Sequence, residues 1–466
     1  MWRFRPWLAA AALAICACVA CAAPAAARQK WNTRVFAHVP SPGYPGLSLV
    51  APDRTVYVGT FTNAAGTDTG PSKVFAYRPS GKLKRTYVIK GQTPGAAHGV
   101  QVAAIDARGR LYLLDQNPAR VLILNPRTGK QRTFATFRDV PPCSAATQPN
   151  GDCSDTVLDN TPEPDYAAWG TDGTMYVTDY TQAVIWRVPP RGGHAHVWFT
   201  DPQIDGSNFG PAGIVLLPDH RTLMFDTSGG GVTTPGDPLT GQLYTLGIQP
   251  NGTPGALKQI WESGPKQAPD GFALARSGHV YMALVGPQTN QLVEISRSGQ
   301  ELARFPLDTS GSNGSPVPFD EPWSVQFDGR RMLVTNDAFF SGDASHFVVF
   351  DVWAGEQGAP VFVPGLRPRT AGRYTLTVHP KRVHVGTHAL HFHATRGGRA
   401  LSHALVRLAG RRVPTDKHGN ATLVVGFDHA GRYRTRLTRG ARRHARTLAS
   451  AIVVVLRTPG GDRDSG

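Results

Sequence analysis

Hydrophobic and polar positions alternate in a unit that recurs six times between residues 44 and 363. The first half of each unit places a polar turn before a short apolar strand, as in Asp172-Gly173 followed by Met175-Tyr176-Val177. The second half is a further apolar strand that leads to a Gly-rich turn. A repeat of about 45 to 65 residues with four strands per unit is typical of a β-propeller. The pattern predicts an all-β protein with a six-bladed propeller over residues 28–365, in which residues 31–39 form the outer strand of the last blade.

Residues 1–27 have the pattern of a signal peptide. Arg3 and Arg5 precede an apolar stretch at residues 8–20, and small residues follow at Ala25-Ala26-Ala27. The apolar stretch is too short to cross a bilayer, and no later run of 18 apolar residues follows it. We therefore expect a secreted or extracytoplasmic protein without a transmembrane segment. Processing as a lipoprotein at Cys21 is the alternative.

Charge divides the chain at the proline-rich stretch 364–368. Residues 366–466 contain 18 Arg, two Lys and four Asp, and so hold all of the chain's formal net charge of +16. Such a region is expected to bind an anionic cell-envelope polymer through interactions that salt weakens. A basic, solvated surface without a partner is the alternative interpretation.

Short alternating stretches within residues 366–457 predict a small β-sandwich, followed by a disordered tail at 458–466. The segment that runs from Ala404 through Thr415-Asp416 to Gly419 resembles bacterial immunoglobulin-like domains, which implies an Ig-like sandwich. His391 and His393 lie two residues apart on one predicted strand and so share a face. Surface histidines are favoured there over a pair of metal ligands.

Two cysteines, Cys143 and Cys153, lie beyond the signal segment and bracket a polar loop. In an exported protein such a pair is predicted to form a disulfide. A metal site is less favoured, because the loop between them contains no His.

Three motifs of the propeller region resemble the SMP-30/gluconolactonase/LRE-like family. They are Asp165 to Gly173, Gly210-Pro211-Ala212-Gly213-Ile214, and Pro269-Asp270-Gly271. The resemblance implies a six-bladed propeller that holds one Ca²⁺ ion through oxygen ligands presented by the first strand of several blades.

Only part of the family's ligand set is present. Asp165 and Asp270 occupy two matching positions, whereas Gly46 and Ala212 stand at the other two and carry no ligand atom. Outside the family's pattern, Glu321 is predicted as a third carboxylate ligand. His98 and Tyr44 are predicted to bind the ligand at the same end of the channel.

Two functions follow from this site. In the first, a bound cation polarises the carbonyl of a small lactone or ester, and Asp270 takes the proton of the attacking water. In the second, the protein is a non-catalytic extracytoplasmic binding propeller with a basic attachment domain. A purely structural role for each Asp, as an acceptor of backbone N–H groups where a strand begins, is the alternative to both.

Overall fold

The computed structural model describes residues 28–61, 70–144, 152–156, 160–206, 209–229, 239–286, 289–365, 374–438 and 447–457. The predicted signal segment 1–27 with Cys21, and the predicted tail 458–466, lie outside these residues. The chain divides into two compact units between Pro364 and Gly365. In the part of the chain that the structure describes, no helix has the length and apolar character needed to cross a membrane.

The first unit consists of short strands and two single-turn 3₁₀ helices, Pro202–Ile204 and Ala344–His346. Its strands are β1 (Thr33–His38), β2 (Pro45–Val50), β3 (Val56–Thr60), β4 (Lys73–Tyr77), β5 (Leu83–Val88), β6 (Val100–Ile105), β7 (Leu111–Asp115), β8 (Arg120–Leu124), β9 (Gln131–Thr136), β10 (Pro164–Trp169), β11 (Met175–Asp179), β12 (Val184–Val188), β13 (Gly193–His194), β14 (His196–Thr200), β15 (Pro211–Leu216), β16 (Thr222–Thr227), β17 (Gln242–Ile248), β18 (Pro254–Glu262), β19 (Pro269–Leu274), β20 (Val280–Leu284), β21 (Gln291–Ile295), β22 (Glu301–Phe305), β23 (Pro322–Asp328), β24 (Arg331–Asn336) and β25 (Val348–Trp353).

These strands form six successive sheets, each built around an antiparallel set of four. The sets are β2–β5, β6–β9, β10–β12 with β14, β15–β18, β19–β22, and β23–β25 with β1, and β13 adds a parallel fifth strand beside β9. The first strands contact one another in the cyclic order β2, β6, β10, β15, β19, β23 and back to β2. This closed order is consistent with a β-propeller, and the prediction of an all-β protein is confirmed.

Strand β1 pairs with β25, so that Thr33 lies opposite Val352 and Ala37 opposite Val349. The prediction that residues 31–39 supply the outer strand of the last sheet is thereby confirmed. The pairing joins the beginning of the unit to its end and covers a strand edge that would otherwise be open to other chains.

Hydrophobic side chains fill the space between neighbouring sheets. Strand residues such as Leu113, Trp186 and Phe350 are fully buried, and Tyr112 contacts Trp169 edge-to-face at a centroid distance of 4.8 Å. The tyrosines and tryptophans of the repeat therefore pack between sheets rather than forming an exposed platform. On the loop between the second and third sheets, Cys143 and Cys153 form the predicted disulfide.

The second unit contains two sheets. Its strands are β26 (Tyr374–His379), β27 (Arg382–His384), β28 (Gly386–Arg396), β29 (Arg399–Ala400), β30 (Leu405–Leu408), β31 (Arg411–Pro414), β32 (Asn420–Phe427), β33 (Gly431–Thr438) and β34 (Thr447–Leu456). Strands β26, β28, β29 and β32 form one sheet, and β27, β34, β33, β30 and β31 form the other. Alternate residues of both, including Phe392 and Leu437, share one hydrophobic core, because each strand turns every second side chain inward.

Candidate functional site

Asp165 and Asp270 occupy equivalent places in the third and fifth sheets. Each is the second residue of a first strand, directly after Pro164 or Pro269, and each lies within the shift in register between that strand and the second strand of its sheet. The two carboxyl groups therefore lie at the same end of their sheets. Their residues are 2% and 4% exposed, so both carboxyls are almost completely removed from water.

The Asp165 carboxylate accepts a hydrogen bond of 2.8 Å from Nε2 of Gln101, which lies on β6. Oε1 of the same Gln101 accepts from the backbone N–H of Leu47 on β2. Burial raises the pKa of Asp165 well above its usual range, and the charge of Asp270 raises it further, while the Gln101 bond opposes the change. Asp165 and Asp270 thus interact electrostatically across the sheets.

Asp270 accepts two hydrogen bonds at Oδ1, one of 2.9 Å from the Tyr166 hydroxyl and one of 2.6 Å from the Gly271 N–H. Burial raises the pKa of Asp270 to about 7, and these two bonds limit the rise. The pKa of Tyr166 is also raised well above its usual range, first by burial and then by the charges of Asp270 and Asp165. Tyr166 is therefore a neutral donor to Asp270 near neutral pH.

A carboxylate that the sequence motifs did not indicate, Asp226 on β16, joins this pair. Asp226 is fully buried, and no hydrogen bond from the described residues reaches either of its oxygens. Burial raises its pKa well above the usual range, and the charges of Asp270 and Asp165 raise it further. The backbone N–H groups of Asp226 and Gly213 lie near the carboxyl and oppose the rise, but their geometry falls short of a hydrogen bond. In the sequence, Asp226 stands out only by comparison of the second strands of the six sheets. It is the acid at the next-to-last position of its strand, where the other five strands have Gly59, Leu114, Thr178, Ala283 and Thr335.

Asp337, directly after β24, is another buried carboxylate that the sequence motifs did not indicate. It is 1% exposed, and again no hydrogen bond from the described residues reaches its two oxygens. Its pKa is raised well above the usual range by burial, then by the charges of Glu321 and Asp270. Asp337 thus connects the predicted ligand Glu321 to Asp270.

Glu321 lies immediately before β23 with a left-handed backbone (φ 55°), and its Oε2 accepts a 2.9 Å hydrogen bond from the Phe340 N–H. Burial raises its pKa to about 7. The side chains of Asp165, Asp226, Asp270, Glu321 and Asp337 are hereafter called the acid cluster. Its members are linked by their electrostatic effects on one another, from Asp165 and Asp226 through Asp270 to Asp337 and Glu321.

The position of Gly46 is closed to a larger residue. A Cβ atom there would lie 2.3 Å from a ring carbon of Phe61 and 2.6 Å from Oε1 of Gln101. The Gln101 amide that binds Asp165 thus occupies part of the space that a side chain at position 46 would need.

Ala212 lies on β15 opposite the second strand that carries Asp226, at a shift in the register of the two strands. A Cβ on the adjacent Gly213 would lie 2.6 Å from Oδ1 of Asp226. The fourth sheet therefore does present a carboxylate, but from its second strand rather than its first.

The contacts described for His98 and Tyr44, the two predicted ligand-binding residues, are with residues outside the acid cluster. His98 is buried, with Nδ1 3.1 Å from the Ser72 hydroxyl, in a network that continues through Gln92 to Asp115. The Tyr44 ring packs in a hydrophobic cluster, with its centroid 4.4 Å from that of Phe347. The contacts of both residues are those of structural side chains, and their predicted role in ligand binding stays a prediction.

Among the described residues, His279, Glu294 and Glu356 form the one group of three or more potential metal ligands whose ligand atoms lie within 4.8 Å of one another, a spacing that the acid cluster does not meet. The oxygens of this group are already engaged. Lys30 pairs with Glu294, and the Tyr281 hydroxyl donates to both glutamates at 2.9 and 2.6 Å. Because an ammonium group already balances its charge, we interpret this group as an ion-pair network that holds the N-terminal segment to the fifth sheet.

No family model and no curated protein matches the chain. Among solved structures it is similar to a luciferin-regenerating enzyme, with 13% identity and a TM-score of 0.45 over 70% of this chain and 96% of that one. It is similar to a putative 6-phosphogluconolactonase from Bacteroides fragilis at 11% identity, with a TM-score of 0.38 and coverage of 88% and 87%.

A third similar structure is an auxiliary nutrient binding protein from Bacteroides thetaiotaomicron, at 9% identity, with a TM-score of 0.44 and coverage of 69% and 75%. The three identities are below 25% and the three TM-scores below 0.5. These likenesses therefore carry no conclusion about activity, and any functional conclusion depends on the side chains of this chain.

Proposed function

We propose that this protein is a six-bladed propeller of the SMP-30/gluconolactonase/LRE-like type that binds one Ca²⁺ ion in the acid cluster and hydrolyses a small lactone or ester. One observation carries the proposal. Asp226 is fully buried beside Asp165 and Asp270, and its two oxygens accept no hydrogen bond from the described residues. An unpaired buried carboxylate is costly unless it is protonated or bound to a cation.

The donors are of the chemical kind that the ion prefers. Ca²⁺ takes six to eight oxygen ligands and accepts carboxylates in irregular geometries. Asp165, Asp226 and Asp270 would hold it, and Asp337 and Glu321 would add negative charge behind Asp270. In this proposal Asp226 supplies the oxygen that Ala212 lacks, since both belong to the fourth sheet.

When bound, the cation supplies Lewis-acid polarisation of a carbonyl oxygen. The chain's own residues do the proton chemistry. The Tyr166 hydroxyl and the Gly271 N–H orient the Asp270 carboxylate by holding its Oδ1. Asp270 lies where it could accept a proton from the attacking water, and a bound cation would keep its carboxyl in the charged form that a base requires.

The decisive measurement is calorimetric titration of the full chain with Ca²⁺. We expect one saturable site, and at 100 times the dissociation constant a stabilisation of about 2.7 kcal/mol against unfolding. Asp226→Asn should weaken binding by at least tenfold without loss of folding, because it removes a buried charge. Asp115→Asn is the matched control, since Asp115 is an equally buried carboxylate that is paired with Arg120.

Absence of binding at millimolar Ca²⁺ would refute the cation site. Saturable binding without turnover of any lactone or aryl ester would refute the hydrolase and leave the cation site standing. Asp270→Asn should then be examined on any substrate found. Because Asp270 is also a proposed Ca²⁺ ligand, turnover is compared at Ca²⁺ concentrations that saturate each variant. Loss of turnover that persists at saturating Ca²⁺ would place Asp270 as the base.

A second candidate function, non-catalytic attachment to an anionic cell-envelope polymer, is supported by one sheet of the second unit. Arg407 lies directly opposite Arg412 on one side and Arg436 on the other. Arg432 and Arg434 follow on the same face of β33, because they alternate with inward-facing residues. These five residues are hereafter called the arginine face.

The strands of this sheet contain neither Asp nor Glu. Like charges directly opposite one another on a sheet are unfavourable, and a phosphate-bearing polymer would relieve the repulsion while accepting forked hydrogen bonds. We infer an Ig-like sandwich that attaches an exported propeller to such a polymer.

Retention of the full chain on immobilised poly(glycerol phosphate) across a salt series tests this candidate. Changing Arg407, Arg412 and Arg436 together to Gln should lower the salt concentration needed for elution. The control changes Arg34, Arg132 and Arg297 of the first unit to Gln, which removes the same charge elsewhere. Equal behaviour of the two triple variants would exclude a specific arginine face.

A further inference from the structure

The other sheet of the second unit carries a different chemistry on its exposed side. His391 and His393 on β28 and His379 on β26 are exposed. The neighbouring residues Phe392 on β28 and Val378 on β26 are buried in the core. These three histidines are hereafter called the histidine face. Together with Thr377, Thr422 and Asn420 they line a groove of about 450 Å³.

The register of the sheet brings the histidines together. His379 on β26 is paired with His391 on β28, and His391 is paired in turn with Thr422 on β32. His393 lies in the next row, between Thr377 and Asn420. Directly opposite residues have Cβ atoms about 4.5–5.5 Å apart, and residues two apart on one strand lie about 7 Å apart. In the described structure the ligand nitrogens of the three histidines are not all within 4.8 Å of one another, but exposed imidazoles at these backbone spacings can turn toward one ion by rotation of their side chains.

Neighbouring polar groups set the tautomer of the rings. Nδ1 of His393 lies 2.7 Å from Oδ1 of Asn420, and a carboxamide oxygen only accepts hydrogen bonds. Nδ1 of His393 therefore carries the proton, and the lone pair of the neutral ring is at Nε2. Nδ1 of His391 lies 3.0 Å from the Thr422 hydroxyl, which can accept in the same way. Anchoring of one ring nitrogen while the other stays available is the usual arrangement of metal-binding histidines.

The charges around the face also suit a cation. The second unit as a whole is strongly basic. The outward-facing positions around the histidines, from Thr375 on β26 to Val424 on β32, nevertheless hold Thr, His, Ala, Asn and Val. None of these positions holds Lys or Arg. A nearby acid is Asp416, whose pKa is lowered first by the Asn420 amide and in part by His418 and His393. A carboxylate therefore lies close to the His393 end of the groove.

We propose that His379, His391 and His393 form a binding site for a first-row transition-metal ion, Zn²⁺ or Cu²⁺, on the exposed face of this sheet. Imidazole nitrogen is a preferred ligand of both ions, with bonds of about 2.0–2.1 Å to zinc. The site is independent of the function proposed for the propeller unit. It differs from the acid cluster in kind, because Ca²⁺ prefers oxygen donors and has little affinity for imidazole.

The test is calorimetric titration of the untagged full chain with Zn²⁺ at pH 7.5, in the presence of millimolar Ca²⁺ to occupy the acid cluster. We expect one saturable site. His391→Ala and His379→Ala should each weaken Zn²⁺ binding by at least tenfold. Asn420→Ala should weaken it about 10- to 100-fold, the usual effect of removing the partner that orients a ligating histidine.

Two variants serve as controls. His384→Ala removes another exposed histidine of the same unit, and His279→Ala removes the histidine of the Lys30-linked network. Both should leave Zn²⁺ affinity unchanged. The proposal is overturned if no saturable binding is found up to 1 mM Zn²⁺, a dissociation constant that corresponds to a binding free energy of only about −4 kcal/mol. It is also overturned if His391→Ala and His379→Ala bind Zn²⁺ like the original chain, or if His279→Ala abolishes binding.

Loss of folding cannot be mistaken for loss of the site. The substituted side chains of the second unit are exposed, so those variants should unfold at the same temperature as the original chain when EDTA is present. His279 is half-buried in its ion-pair network, so the affinity of His279→Ala is measured at a temperature where that variant is shown to be folded. The electron paramagnetic resonance spectrum of bound Cu²⁺ provides a second readout. It should show nitrogen hyperfine structure that changes in His391→Ala and stays unchanged in His384→Ala.

Discussion

The acid cluster of the first unit and the arginine face of the second both place like charges next to one another, and they differ in burial. Asp165, Asp226 and Asp270 are almost inaccessible to water, and their pKa values are raised. Arg412, Arg434 and Arg436 are exposed, where water and salt screen their repulsion. The same arrangement of charge therefore requires a proton or a cation in one region and costs little in the other. Burial, rather than charge alone, indicates where a ligand is required.

The largest expected difference between the two regions is in the pH dependence of stability. A carboxyl whose folded pKa is raised stabilises the fold fully below its unfolded pKa of about 4, and this contribution is lost as the pH rises through the folded pKa. For Asp270 and Glu321 the window runs from about 4 to about 7. Without divalent cations, the stability of the propeller unit should fall across it by about 1.4 kcal/mol per pH unit for each group.

Urea unfolding between pH 4 and 8 in EDTA measures this slope. Glu321→Gln should flatten it, and Ca²⁺ should remove most of the loss at pH 7 to 8. The second unit should show no such fall, since the pKa of its Asp416 is lowered rather than raised. A flat profile for the propeller unit would show that the acid cluster does not hold buried protons.

The next effect tests whether the space beside Gln101 is as closed as the structure indicates. Gly46→Ala forces a Cβ to within 2.3 Å of the Phe61 ring, so we expect a loss of about 1–3 kcal/mol in the free energy of unfolding. Gly247→Ala is the matched control, because a Cβ at that strand position meets nothing within 4 Å. Equal stability of the two variants would mean that the site can open to accept a larger residue at position 46.

A smaller effect is expected from Tyr166→Phe, which removes the hydroxyl that donates to Asp270 at 2.9 Å. A hydrogen bond to a carboxylate stabilises its charged form by about 1.5–3 kcal/mol, so the pKa of Asp270 should rise by about one unit or more. The pH at which Ca²⁺ binding is half-maximal should move upward accordingly. If the pH of half-maximal Ca²⁺ binding is unchanged, protonation of Asp270 does not control binding.

The smallest effect concerns the exposed charges. Arg436→Gln removes a charge directly opposite Arg407 and should stabilise the second unit by about 0.2–1 kcal/mol at low salt. The gain should disappear at about 0.5 M salt, where exposed charges are screened. Arg432→Gln, whose cross-strand neighbour is Val454, should have less effect at either salt concentration. Thermal unfolding of the full chain at both salt concentrations measures the difference.

Much of the fold followed from local pattern. The strands of the first unit were predicted because apolar and polar residues alternate with strand periodicity, and the outer strand predicted at residues 31–39 is β1 at residues 33–38. The alternating stretches of residues 366–457 include the strands β26, β28, β30, β32, β33 and β34. The disulfide between Cys143 and Cys153 was predicted because only this pair remains outside the predicted signal segment. Asp165 and Asp270 were predicted as site residues because they stand at matching positions of the motifs that resemble the SMP-30/gluconolactonase/LRE-like family.

The composition of the site was decided by tertiary structure. Nothing near Asp226 or Asp337 in sequence distinguishes them from other strand-end acids such as Asp115 and Asp179. The latter two are satisfied by Arg120 and by the Trp186 indole, whereas no hydrogen bond from the described residues reaches the carboxyl oxygens of Asp226 and Asp337. In the same way, His379 joins His391 only through strand pairing. The sequence determined the strands and their faces, because side-chain periodicity is local. Which charged and ligating groups meet depends on how distant strands pair and pack, and only the assembled sheets decide it.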